Sequence, residues 1–258
     1  MAKGNASMQL TLLGTGNTGH VPVYGCDCIA CERAKEDHAF RRGKTSAYIE
    51  HNGKTLLLDA NHPHLLERFP AGSIDTILLT HFHMDHVQSL FDLRWGKGQP
   101  IPVLSPPDKF GCDDLYKHHG LLDFQPLKAF EPFEWEGITI TPVPLSHSKP
   151  CFGYLFEWQG KTFAYLTDTV GLPKNTHAFL KDKPLDLVLM DCNHPPMPDS
   201  PPRNHNDILL AQSIKQQLTI SKMGLIHISH ELDCWAMENS NQFSSSFFLA
   251  KDNQSFHL

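Results

Sequence analysis

The chain holds 258 residues, 40% of them hydrophobic, with a formal net charge of -6. That apolar share supports a continuous core and excludes a disordered polypeptide, while the acidic balance offers no general attraction to nucleic acid or an anionic membrane. The N-terminal region has no basic start followed by an apolar run and a small-residue cleavage site, and no stretch nears the roughly 20 apolar residues of a spanning helix, so a soluble cytoplasmic protein is expected.

Runs rich in β-branched and aromatic residues predict strands over 9–13, 47–51, 55–59, 76–80, 138–143, 153–158, 162–167, 185–190 and 223–229. Helices are expected from near residue 86, over 173–181 and over 206–218, the last capped by Asn204 or Asn206. The proline-rich stretches 100–107 and 195–202 read as exposed loops, and 247–258, with Lys251, Asp252, Asn253 and Gln254 between two apolar halves, reads as a closing hairpin. With no repeat at a fixed period and no low-complexity linker, one α/β domain over 1–258 is expected.

Histidine is the compositional outlier, with 17 in the chain. His81, Phe82, His83, Met84, Asp85 and His86 directly follow the strand-like run 75–80, which places three imidazoles and a carboxylate in a loop at a strand end. Those ligand types suit zinc, manganese and iron. Of 7 cysteines, Cys26, Cys28 and Cys31 form a Cys-x-Cys-x-x-Cys run. A cytosolic setting disfavours disulfides, so three thiolates converging on one zinc ion are expected, in a zinc-binding insertion around 20–35. His230 is a candidate fourth ligand, because an odd offset from His227 on an extended chain sends the two side chains to opposite faces.

The run His81 to His86 resembles the signature of the metallo-β-lactamase superfamily, a His-x-His-x-Asp-His after a strand followed by a later His, an Asp and a final His, each at its own strand end. His147, Asp168 and His227 stand in the matching positions. The resemblance implies a four-layer αββα sandwich of two mixed β-sheets flanked by helices. It also implies two divalent ions, Mn2+ or Zn2+, one held by His81, His83 and His147, the other by Asp85, His86 and His227, with Asp168 bridging them.

Together with the cysteine run, the segments 12–16, 23–26, 79–81, 91–96, 111–115, 145–149, 168–173, 190–196, 203–205 and 227–230 are similar to the phosphoribosyl 1,2-cyclic phosphate phosphodiesterases of the bacterial carbon-phosphorus lyase pathway. The segment Asn61, His62, Pro63, His64 departs from that pattern, as does the polar tail after Glu238. The resemblance implies phosphonate catabolism, a small phosphorylated sugar as substrate, no nucleic-acid or membrane partner, and a homodimer. By the same resemblance a metal-bridging hydroxide attacks phosphorus and His205 protonates the departing sugar oxygen, with Asp85 also counted in the catalytic set. Lys149, Arg94 and Arg203 are candidates for holding the 5-phosphate. Competing readings are a phosphodiesterase for tRNA 3' ends or cyclic nucleotides, a thioester or lactone hydrolase, and a non-catalytic zinc module.

Overall fold

The computed structural model describes residues 7–200 and 202–257. Its first sheet is built from β1 (Gln9–Gly14), β2 (Ser46–His51), β3 (Lys54–Leu58), β4 (Thr76–Leu78), β5 (Ile101–Ser105) and β6 (Leu122–Pro126). The second contains β7 (Phe133–Trp135), β8 (Ile138–Pro144), β9 (Phe152–Trp158), β10 (Lys161–Leu166), β11 (Leu185–Asp191), β12 (Ile220–Ile226) and β13 (Phe247–Leu249); β14 (Ser255–His257) returns to the first. The orders are β14-β1-β2-β3-β4-β5-β6 and β13-β12-β11-β10-β9-β8-β7, seven strands in each sheet.

Period-two alternation explains why the sheets stack with helices outside them. Leu56 and Leu58 face the inter-sheet core with Leu10, Ile49, Tyr154, Phe156, Phe163, Tyr165, Leu187 and Leu189. Their neighbour Leu57 points the other way, into a cluster with Leu65, Val87, Leu90 and Leu115. In the second sheet Val188 and Met190 do the same toward Leu180, Ile208, Ala211 and Ile214. Phe156 and Phe163 are paired across β9 and β10 and stack with ring centroids 4.2 Å apart.

The outer layers comprise α1 (Ile29–Glu36), α2 (Leu65–Arg68), α3 (Met84–Val87), α4 (Leu90–Leu93), α5 (Asp113–Lys117), α6 (Lys174–Lys181), α7 (Ile208–Gln217) and α8 (His230–Glu238). The result is the expected αββα sandwich. None of the described helices is long and apolar enough to cross a membrane.

Four local expectations are corrected. Residues 247–257 form no hairpin: β13 pairs in parallel with β12 and β14 pairs antiparallel with β1, so the two halves of the tail finish different sheets. Residue 258 lies outside the described region. The stretch 100–107 is not an exposed loop, since it contains β5 between β4 and β6, with Pro102 opposite Asp123. The cap of α7 is neither Asn204 nor Asn206 but Asp207, whose side chain accepts from the backbone N–H of Leu210 at 2.8 Å. His230 is helical rather than extended, because Ser229 caps α8 by accepting from the N–H of Leu232.

Arg42 ties these parts together. Its guanidinium donates to both oxygens of Asp233 at 2.7 and 2.9 Å, to the Thr15 hydroxyl at 2.7 Å and to the Ala250 carbonyl at 2.6 Å. Both members of the ion pair are buried. Arg42→Ala would leave Asp233 without its partner in the interior, a loss of about 3–5 kcal/mol by analogy with other broken buried pairs. Denaturant unfolding of the variant against the parent measures this, and a difference below about 1 kcal/mol, the range of exposed pairs, would mean the network contributes little.

Candidate metal centre

Parallel pairing of β3 with β4 and of β10 with β11 and β12 sends the C-terminal ends of these strands to one edge of the sandwich. At that edge His81 follows β4, Asp168 follows β10 and His227 follows β12, while His147 lies beyond the end of β8. His83 caps α3, which carries Asp85 and His86 on its single turn.

The side chains converge. His81, His83, His147 and Asp168 offer atoms that all lie within 4.8 Å of one another, as do Asp85, His86 and His227. Asp168 joins the two groups. Its Oδ2 is 3.7 Å from His81 Nε2, 3.6 Å from His147 Nε2 and 3.5 Å from His227 Nε2, and its Oδ1 is 3.2 Å from His86 Nε2. His83 turns Nδ1 inward, 2.8 Å from His81 Nε2 and 3.1 Å from His147 Nε2.

The donor chemistry fits divalent metal. His86 Nε2 and both ring nitrogens of His227 are buried without a hydrogen-bond partner, an arrangement that costs free energy unless something binds there. With a metal–nitrogen distance of about 2.0–2.1 Å, two ligands of one tetrahedral ion sit roughly 3.3 Å apart, in the middle of the 2.8 to 3.8 Å separations found here. Burial and the neighbouring His86 hold the His81 ring well below the usual imidazole range, so it is neutral and able to ligate. Burial opposes ionisation of Asp168 too, but the histidines around it, His227 first, outweigh this and keep the carboxyl far below its ordinary range.

Supporting residues escaped sequence reasoning. Asp59, fully buried at the end of β3, accepts from Thr80 N–H at 2.8 Å and lies 2.7 Å from His86 Nδ1, which fixes that ring with Nε2 inward. Asp191, at the end of β11, accepts from Asp168 N–H at 2.9 Å, from Asn206 N–H at 2.9 Å and from His205 Nδ1 at 2.7 Å. Thr18 donates to Asp85 Oδ2 at 2.5 Å, and Asn61, in the segment that departs from the family pattern, donates to the carbonyls of Thr45 and Asp85. The only available signal was position, an acidic residue closing an apolar strand.

His205 stacks on His227 with centroids 4.4 Å apart and offers a nitrogen within 4.8 Å of Asp168 and His227. Its Nδ1 belongs to Asp191, so Nε2 is the nitrogen left to act. Burial disfavours the charged ring, but the Asp191 carboxylate more than compensates and lifts its pKa to about 9.

A cavity of about 890 Å³ opens beside His147 and is lined by Ser148, Lys149, Lys128, Pro150 and Phe152. Of the three cations considered for a phosphate, Lys149 lies on this wall, 3.3 Å from Asp108, and Arg203 is exposed two residues before His205. Arg94 does not join them: its guanidinium is nine-tenths buried, paired with Asp114 at 2.7 Å and packed by Phe91 and Trp95.

The cysteines gather separately. Cys26 Sγ and Cys28 Sγ each lie 3.4 Å from His230 Nδ1, and Cys31 completes a group within 4.8 Å. Zinc–sulfur and zinc–nitrogen distances of about 2.3 and 2.0–2.1 Å place the two ligands roughly 3.6 Å apart in a tetrahedron, so the spacing fits. His230 Nε2 faces Glu231 at 2.9 Å, which turns Nδ1 to the thiols. Burial raises the Cys28 thiol, but hydrogen bonds, that of His230 foremost, bring it down to about 6; Cys31, buried, is pushed up to about 12. The strand-to-helix turn after His227 thus serves both clusters.

The chain matches the Beta-lactamase superfamily domain over residues 55–228. A crystal structure of a diphosphatase from the PhnP family superposes with a TM-score of 0.82 at 27% identity, covering 98% of this chain and 97% of that one. The octanoyltransferase of Porphyromonas gingivalis (strain ATCC BAA-308 / W83) is 31% identical over 175 residues, 62% of this chain and 35% of that protein. Ribonuclease Z of Mycobacterium bovis (strain BCG / Pasteur 1173P2) is 27% identical over 191 residues, 63% of each chain. This chain therefore spans 35% of the first of these curated relatives and 63% of the second. With the strand-end histidines and aspartates and the two stacked sheets, the match over residues 55–228 makes this chain a member of the metallo-β-lactamase superfamily.

Proposed function

We propose that this chain is a phosphodiesterase that opens 5-phosphoribosyl 1,2-cyclic phosphate to ribose 1,5-bisphosphate. The observation that carries the reading is His205, anchored at Nδ1 by Asp191 at 2.7 Å and set beside Asp168 and His227. Ring opening releases a sugar alkoxide, a poor leaving group that needs a proton in the transition state, whereas the thiolate leaving from a thioester does not. An anchored proton donor next to the ligand cluster therefore favours the phosphodiester over the thioester reading.

In this reading His81, His83 and His147 hold one divalent ion, Asp85, His86 and His227 another, with Asp168 between them. Bound there, Mn2+ or Zn2+ lowers the pKa of water from 15.7 toward about 7 and neutralises charge on phosphoryl oxygens. The protein's own contribution is orientation. Asp59 fixes the His86 ring, Asp191 fixes both the Asp168 backbone and the His205 ring, and Lys149 and Arg203 supply positive charge for a distal phosphate. Cys26, Cys28, Cys31 and His230 form a closed structural zinc site, with no position left for substrate.

The near-complete mutual coverage with a diphosphatase of the PhnP family favours one further reading, cleavage of a phosphoanhydride. There the leaving group is a phosphate, far less basic than an alkoxide, and help from His205 matters less. Product identification from the cyclic ribose phosphate and from an organic diphosphate, with the same metal-loaded protein, decides between them. Turnover of the diphosphate alone would overturn the cyclic-phosphate reading.

General-acid help is typically worth about 100 to 10,000-fold for a basic leaving group. His205→Ala is expected to lower kcat by that order with the cyclic ribose phosphate and much less with bis(p-nitrophenyl) phosphate, whose phenolate leaves unaided. Equal losses on both substrates at matched metal occupancy would assign His205 to metal binding or packing instead.

Asp168→Asn keeps the shape and removes the charge shared between the two groups. The variant is expected to lose affinity for both ions together, read by titration with Mn2+ and elemental analysis. Loss at one site with normal binding at the other would remove Asp168 from the bridging position.

A further inference from the structure

Asp59 directs the His86 ring and Asp191 holds the Asp168 backbone, and the matching contact for Asp85 comes from the loop after β1. The Thr18 hydroxyl donates to Asp85 Oδ2 at 2.5 Å, from 67 positions away in the sequence. Among the described residues no other hydroxyl, amide or backbone N–H donates to that carboxylate. Oδ2 is also the oxygen turned toward the neighbouring ligand candidates, 3.6 Å from His86 Nε2 and 3.8 Å from His227 Nε2. A carboxylate oxygen offers two lone-pair sites. With one taken by Thr18, the other is left for an ion among the three residues.

The place of Thr18 is built into the fold. Asn17 donates its N–H to the Ile228 carbonyl at 3.1 Å and its side-chain amide to Asn193 Oδ1 at 2.8 Å, while its Oδ1 and its carbonyl accept from the N–H groups of Gly19 and His20, each at 3.0 Å. The turn that carries Thr18 is thereby fastened to the residue after His227 and to the second residue after Asp191. Thr18 is exposed, and a surface threonine of no consequence points its hydroxyl to solvent or to a backbone group of its own turn. Here it reaches a ligand candidate instead. The backbone of Asp85 is fixed independently, by Asn61 Nδ2 donating to its carbonyl at 2.5 Å, so Thr18 acts on the carboxylate and not on the course of the chain.

We propose that Thr18 is a positioning residue for Asp85, its hydroxyl fixing which lone pair of the carboxylate meets the ion and so setting the divalent-metal affinity of the group Asp85, His86 and His227. The proposal rests on reading those three residues as ligands of one ion. The hydroxyl keeps its proton and acts through Asp85, without contact to the metal. Removing a group that orients a metal ligand typically lowers affinity about 10 to 100-fold. The other group, His81, His83 and His147, receives nothing from Thr18 and keeps its affinity.

The test titrates Mn2+ into chelator-treated protein and compares the parent with Thr18→Val, Thr18→Ser and Asp85→Asn. Free and bound Mn2+ are counted by electron paramagnetic resonance, and denaturant unfolding of the metal-free proteins is followed alongside. Thr18→Val keeps the shape and removes the hydroxyl. It is expected to weaken one of the two Mn2+ ions about 10 to 100-fold, with the other ion and the unfolding midpoint unchanged. Thr18→Ser, which retains the hydroxyl, is expected to bind both ions as the parent does, and Asp85→Asn to weaken the same ion as Thr18→Val. Parent-like affinity for both ions in Thr18→Val, or a loss in Thr18→Ser as large as in Thr18→Val, would overturn the proposal. A lower midpoint in Thr18→Val with both ions weakened alike would do the same, since it marks a turn that only supports the fold. If Asp85→Asn leaves both affinities unchanged, Asp85 is no ligand and the proposal falls with that reading.

Discussion

Two buried carboxylates, one at the end of a central strand in each sheet, hold the ligand loops in shape. Asp191 receives the N–H groups of Asp168 and Asn206 and the ring of His205; Asp59 receives Thr80 and the ring of His86. Asp59, Asp168 and His227 have backbone φ of 63, 61 and 60 degrees, a left-handed conformation in which a non-glycine residue costs roughly 1–3 kcal/mol. Each of their N–H groups is satisfied, by the Leu78 carbonyl, by Asp191 and by the Thr45 hydroxyl. Hydrogen bonds to a charged group contribute about 1.5–3 kcal/mol each, enough to offset the strain at Asp168. The left-handed turns reverse the chain at the strand ends, and this reversal directs ligands from different strands to one place.

The same turns connect the centre with the cysteine cluster. From His227, in the left-handed turn, the chain passes through Ile228, bridged to Gly16, to Ser229, whose hydroxyl donates to the Asn193 carbonyl, and enters α8 at His230. One turn further, Asp233 grips Arg42. The residues after Glu238 belong to this framework as well: Asp252 accepts from the Thr15 hydroxyl at 2.7 Å and the Gly43 N–H at 2.6 Å, beside the loop that carries Arg42. A structural zinc at the cysteines would therefore brace the turn that presents His227.

How much of this was legible in the sequence follows from the range of each interaction. The run His81 to His86 was visible because its donors are adjacent, and the strands around it because alternation is local. His147, Asp168 and His227 were found through resemblance, since nothing in their own neighbourhoods separates them from other loop residues. Asp59 and Asp191 were missed as supporting groups because their partners lie 21 to 27 and 14 to 23 positions away, brought near by parallel strand pairing for Thr80 and Asp168 and by the folding back of α3 and of the loop after β11 for His86 and His205. The tail was misread as a hairpin for a related reason: Lys251 to Gln254 does form a turn, but hydrophobic pattern does not say which sheet each flank joins. The strand β5 was hidden by its prolines. Proline lacks an N–H for the ladder and is unusual inside a sheet, yet Pro102 sits there, opposite Asp123.

The proposed reaction is hydrolysis by attack of water on phosphorus at the strand-end centre. Turnover of 5-phosphoribosyl 1,2-cyclic phosphate by metal-loaded protein in water enriched with oxygen-18, followed by phosphorus NMR, tests it directly. The expected product is ribose 1,5-bisphosphate with one heavy oxygen on the newly opened phosphate, seen as an isotope shift of that resonance and not of the 5-phosphate. Absence of turnover, or heavy oxygen on a sugar carbon with the phosphate unlabelled, would contradict it.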